Sequence, residues 1–393
     1  MDNLFIMERF GKEHNPQGEE NQKEEQKGEE TLVKTEEFYY DHIAKELKLN
    51  LEQQKEQSIS FEEGENYPYE IITTPKENFV LFGDGRVIVV YKENGELKKI
   101  NLELKDNKNN KIQVQVRHLK IFPDGTLVAS DQNKIYIFEP QGYLLQTFDK
   151  NKQYTFNLIQ EITLDQETDG KILNIQIIEG GKIIITTTKS IIFYDYEEEN
   201  RYVEKSRIKK IDRREINNLL YSYYLPEEKI LILTKGKLIL YSPSENKVTK
   251  EINIPDNYDI RGIFINPYTK EILLSIKVYY DTDEISISNK NIIQILDLET
   301  LENKKTIDNP IEKGRILKAI ATNKGEIVVL GVTEPKGKRI IKVLIPTLEN
   351  NYESYEIPLS ESTIADISIS PEGEINYVGN FQGKKPGIFS TLQ

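Results

Sequence analysis

From residue 58 to the end of the chain, short apolar runs of Ile, Val, Leu, Phe and Tyr alternate with clusters of Gly, Asn, Asp and Pro. This pattern predicts strands separated by turns. No long segment of helical period interrupts it, so the body is expected to be all-β. One turn recurs seven times, starting at Pro75, Pro123, Glu179, Pro226, Pro267, Asn323 and Pro371, at intervals of 48, 56, 47, 41, 56 and 48 residues. Each interval holds four strand candidates. The second unit shows them at 114–122, 126–129, 134–138 and 143–148. Four strands in every ~40–50 residues is the spacing of a β-propeller blade. The fold expected is therefore a seven-bladed propeller of four-stranded antiparallel blades.

The ends of the chain sharpen this expectation. After Pro371 only two strands fit, around 375–378 and 387–390, so the last blade is one strand short. An orphan strand near residues 58–62, beginning Ser58-Ile59-Ser60-Phe61, precedes the first full blade. Paired as the outer strand of the last blade, it would close the ring and cover an exposed edge. Stacked β-sandwiches or a β-solenoid would not explain one turn recurring seven times with four strands between.

The second unit, LKIFPDGTLVASDQNKIYIFEPQGYLLQTF, has apolar residues, a Pro-Asp-Gly turn, a small-residue strand ending in Asp131, and Lys134-Ile135-Tyr136-Ile137-Phe138 before a Gly turn. Over residues 119–148 it resembles the NHL-type repeat of the NHL-like and WD-like propeller superfamily. The resemblance implies the fold. It carries no activity, because such propellers include scaffolds, ligand binders and enzymes. The Gly-His and Trp-Asp signatures of WD repeats are absent, and the chain has no Trp.

Residues 1–57 read differently. They hold 15 acids against 8 Lys and Arg, a net −7 within a total of −13. Residues 11–30 contain no large apolar side chain and are expected to be disordered, since they cannot bury enough surface to offset chain entropy. Thr35 followed by two acids reads as a helix start. Tyr39, Ile43 and Leu47 then mark one face of a short amphipathic helix near 36–49. Leu4, Phe5, Ile6, Met7 and Phe10 form an apolar cluster at the far end of this acidic arm, a candidate partner-docking segment.

Composition narrows the chemistry. With no Cys, disulfides, thiol nucleophiles and cysteine-ligated metals are excluded. Only three His are present, and His118 alone lies in the propeller region. No nucleophile elbow or phosphate-cradling Gly-rich loop occurs. Asp165, Glu167 and Asp169 followed by Gly170 are spaced like the start of a calcium loop, but Gln176 stands where a bidentate Glu is required, and strands flank the segment. It reads as an acidic insertion, and no metal, cofactor or catalytic residue is expected. Lys205, Arg207, Lys209, Lys210, Arg213 and Arg214 form a basic patch across an outer strand and the following loop. It could steer an acidic or phosphate-bearing partner, or simply discourage edge pairing.

The expectation is thus a cytoplasmic, non-enzymatic interaction scaffold for protein partners, with the N-terminal arm as a second contact. No apolar stretch of membrane-spanning length occurs, so no membrane partner is expected. The acidic balance disfavours nucleic acid. The alternative is a ligand- or divalent-metal-binding propeller enzyme of the lactonase-like kind, which needs carboxylates on several inner strands. Asp366, Asn217 and Asn218 are the polar candidates there, among mainly Ile, Leu, Thr, Ser and Ala.

Overall fold

The computed structural model describes residues 57–60, 68–140, 154–279 and 289–390, apart from some positions in turns within those spans, among them 74–76, 198–200, 212–213, 216–218, 226–227, 348–350, 358–361, 371–374 and 382–386. The proposed arm, with its helix near 36–49 and its apolar cluster, lies outside the described residues.

Seven four-stranded antiparallel units follow one another, at residues 68–105, 118–163, 172–208, 219–253, 258–308, 314–356 and 362–390, the last completed by Gln57–Ser60. We number these blades one to seven. The recurring turn falls between the first and second strand of every blade, and its third or fourth residue repeatedly takes a left-handed conformation. Gly125, Gly181 and Gly325 have φ of 91°, 76° and 88°, and Glu228 and Lys270 have 57° and 53° at the equivalent place. The clasp is in the expected position. Gln57–Ser60 pairs antiparallel with Gly387–Ser390, Ile59 opposite Ile388, as the outermost strand of blade seven.

Burial explains why the strands read as they do. The middle strands of a blade are covered on both faces, so they are nearly continuous apolar runs. Lys229–Thr234 and Ile327–Thr333 are buried almost throughout, whereas the outermost strand Lys247–Asn253 is largely exposed. Among the described residues the core is divided among seven hydrophobic clusters, each spanning two consecutive blades, including blades seven and one, where Ile71, Val80 and Ile88 pack with Val378. A closed ring has one such seam per blade, so the clusters and the blades agree in number. The outer strands of blades one and two also pair in parallel, Leu102 with Tyr154 through Lys105 with Asn157, which covers two edges that would otherwise be open.

A second repeat is visible only in three dimensions. In six blades the pairing of the innermost strand slips by one residue, between Pro68 and Glu70, Ile172 and Asn174, Leu219 and Tyr221, Ile260 and Gly262, Ile316 and Lys318, and Ile364 and Asp366. Each bulged residue stands six positions ahead of the start of its turn. A β-bulge kinks the strand and re-aims the side chain beside it. In three blades the residue just after the bulge, Asn174, Lys318 or Asp366, bonds to the backbone of the next blade.

Candidate functional site

The innermost strands surround the axis of the ring, and the residue five positions ahead of each turn forms a layer there: Glu70, His118, Asn174, Tyr221, Gly262, Lys318 and Asp366. Several reach across a seam to the backbone of the residue four positions ahead of the next turn. Asp366 Oδ2 accepts from Ile71 N–H at 3.1 Å, Lys318 Nζ donates to Ile367 O at 2.8 Å, and Asn174 Nδ2 donates to Ser222 O at 3.3 Å. Lys318 Nζ also reaches Asp366 Oδ1 at 2.7 Å. Blades six, seven and one are thus joined through one buried carboxylate.

Glu70 and Lys120, on the innermost strands of blades one and two, complete a group of four charges. Burial pushes the Glu70 carboxyl up, while Lys120 opposes that shift. Burial likewise pulls the Lys120 ammonium down, helped by Lys318 and opposed by Glu70. The axial lining therefore differs from the expected mainly Ile, Leu, Thr, Ser and Ala. Asp366 is where the sequence placed it, but Glu70, Lys120 and Lys318 are additional, and Asn217 and Asn218 lie outside the described residues. Two carboxylates face two ammonium groups, a balanced set and a poor cage for a divalent cation, which requires several carboxylate or carbonyl oxygens free to converge. Among the described residues no group of three or more His, Asp or Glu is placed to hold a metal.

Lys120 also lines a cavity of about 570 Å³ bounded by the innermost strands of blades two, three and four. Gly180 and Gly181, in the recurring turn of blade three, stand at its rim, so it opens on the face of the ring that carries those turns. Gln176 Nε2 donates to Tyr224 O at 2.9 Å and its Oε1 accepts from Tyr224 N–H at 2.6 Å, fastening blade three to blade four beside the cavity.

His118 opens the innermost strand of blade two, opposite Ser130. Burial lowers its pKa below 6.5; Lys120 and Arg117 act the same way, and a hydrogen bond to the Ile172 backbone acts against them. The unfolded chain therefore takes up this proton more readily, so the contribution of neutral His118 to stability is complete above about pH 6.5 and is lost as pH falls. Denaturant unfolding should show stability declining between about pH 7 and pH 5, and His118→Gln should flatten that decline. An unchanged slope in the variant would contradict this assignment.

The acidic loop and the basic patch meet. Arg207, on the outer strand Arg201–Ile208, pairs with Asp169 and with Glu204, and Lys209 Nζ lies 3.9 Å from Asp169. Lys205 pairs with Glu197. The Asp169 side chain is only 4% exposed, and Asp165 Oδ1 accepts from Glu167 N–H at 2.8 Å within the turn. These acids are engaged in an ion pair and a turn cap. Lys210 and Arg214 lie on two short strands that pair as a hairpin ahead of blade four, an element the sequence reading did not include. The side chains of Lys210 and Arg214, and Arg213 altogether, lie outside the described residues, as do Leu4, Phe5, Ile6, Met7 and Phe10.

One exposed aromatic stands apart. Tyr268, at the tip of the recurring turn of blade five, is 74% exposed. Its turn is braced: Asn266 Oδ1 accepts from Tyr268 N–H at 3.1 Å, and Asn266 Nδ2 donates to Thr322 O of blade six at 2.9 Å. Half-exposed Tyr196 lies near the same face of the ring, where the clasp strand also begins at Gln57.

No protein-family model matches the chain, and no curated protein matches it. Solved structures do. The WD40 β-propeller domain of Doa1 aligns with a TM-score of 0.56 and 12% identity, over 86% of this chain and 98% of that one. Hydrazine synthase of Kuenenia stuttgartiensis aligns at 0.58 and 12%, over 84% and 97%. A catalytically inactive virginiamycin B lyase from Staphylococcus aureus, solved with quinupristin, aligns at 0.55 and 17%, over 87% and 100%. At such identities the likeness is one of fold, and its members differ in activity. Blade count, blade topology, the clasp and these likenesses together identify the fold of the chain as a seven-bladed β-propeller.

Proposed function

We propose that the protein is a non-enzymatic docking platform, binding a protein partner through the face of the ring that carries the recurring turns. The observation that carries this reading is Tyr268, a large aromatic held out to solvent on a turn fixed by Asn266. Tyrosine adds much contact area at small entropic cost, and residues of this kind dominate interface energetics. A braced turn lowers the ordering cost of association further. Gln57 begins the clasp strand on this same face, which supports a second, tethered contact by the arm ahead of it through Leu4, Phe5, Ile6, Met7 and Phe10.

Tyr268→Ala should leave the unfolding transition within about 0.5 kcal/mol of the parent, as expected for a surface position. A photoreactive side chain at position 268 should cross-link to a discrete partner in cell extract. Capture of that partner should fall at least about tenfold in Tyr268→Ala. Equal capture by parent and variant would refute the assignment of this face. Removing residues 1–30 should weaken the same capture without altering the fold, and unchanged capture would dismiss the arm's role.

A further inference from the structure

We infer that the cavity between blades two, three and four is a binding site for a small anion with a planar apolar body, an aromatic carboxylate being the simplest case. This goes beyond the docking role and does not depend on it. At about 570 Å³ the cavity has the size of a small-molecule site. Its polar groups are unequal. The amides of Asn174 and Gln176 are spent on the backbone of blade four. Lys120, Tyr221 and Tyr223 also line the cavity, are partly buried, and make no hydrogen bond among the described residues.

Those three side chains are donors in search of an acceptor. Burial pushes the phenols of Tyr221 and Tyr223 up, which keeps them as O–H donors at neutral pH. Glu70 acts on Lys120 through space but forms no hydrogen bond with it, so the ammonium has no direct acceptor among the described residues. An anion accepting from an ammonium and a phenol makes charge-assisted bonds in a partly desolvated site. The rest of the lining sets the shape. The rings of Tyr221 and Tyr223 are stacked, 6.5 Å apart and 14° from parallel, and Phe122, Ile175 and Ile177 supply apolar walls. A flat hydrophobic body fits that surface better than a hydrated inorganic anion. Gly180 and Gly181 have φ of 81° and 76°, and at the rim neither position carries a side chain to obstruct access.

The test is calorimetric titration of the full chain with 2-naphthoate, and in parallel with neutral 2-naphthamide. Saturable one-to-one binding of the carboxylate is expected, with a preference of about tenfold or more over the amide. Lys120→Met should abolish that preference. Tyr223→Phe, which removes only one oxygen, should weaken naphthoate several-fold with the unfolding transition unchanged, and this decides the matter if Lys120→Met does not fold. Absence of saturable binding into the millimolar range, equal affinity for acid and amide, or full affinity in Tyr223→Phe would overturn the inference.

Discussion

Asp366→Leu is expected to destabilise the folded ring by about 3 kcal/mol, the lower end of the range for breaking a buried ion pair, because the Lys318 partner remains partly solvated. The substitution removes the acceptor of Ile71 N–H and one of the two acceptors of Lys318 Nζ, which keeps Ile367 O. Three consecutive blades lose a shared contact, and one ammonium is left without its carboxylate. The double variant Lys318→Met, Asp366→Leu should recover much of the loss, since an apolar pair in place of a buried ion pair is often nearly neutral. Urea unfolding of the parent, both single variants and the double variant gives the coupling directly. Additive losses would show that Lys318 and Asp366 act independently and that the inner layer is not a linked device.

The second large effect concerns the clasp. A chain starting at Gln57 should unfold like the full protein, whereas one starting after Ser60 should be less stable by about 4 kcal/mol. That figure assigns ~1 kcal/mol to each of the four paired residues whose strand bonding is lost. The shortened chain would also present Gly387–Ser390 as an open edge and should self-associate. Sedimentation alongside thermal unfolding reads both consequences. Equal stability of the two truncated chains would mean that the ring holds without its outermost strand in blade seven.

The architecture was legible because a propeller states itself repeatedly. The middle strands are covered on both sides and so stand out as apolar runs, and the turn beginning at Pro123 or Asn323 needs a left-handed residue, often Gly. The missing last strand and the orphan near Ser58 then pointed to each other. The axial chemistry was harder to see. Lys120 in HLKIF and Lys318 in RILKAIA sit in strands whose alternation makes a lysine look solvent-facing. For Lys318 the bulge between Ile316 and Lys318 shifts that alternation by one residue. Counting five back from each turn would have identified Glu70, Lys318 and Asp366 together, and Tyr221 with them. The acidic loop and the basic patch were read as separate features about forty residues apart in the chain. The antiparallel course of blade three returns Arg207 to the end of the blade where Asp169 lies, and each answers the other's charge.

The most direct test of the closed ring is a cysteine pair at the clasp. The chain contains no Cys, so Ile59→Cys with Ile388→Cys introduces the only two thiols. Directly opposed residues of antiparallel strands lie about 4.5–5.5 Å apart at Cα, within disulfide reach. Mild oxidation should give a nearly complete intramolecular disulfide and a higher unfolding temperature. Free thiols after oxidation, or cross-links only between molecules, would contradict the closure of the ring by residues 57–60.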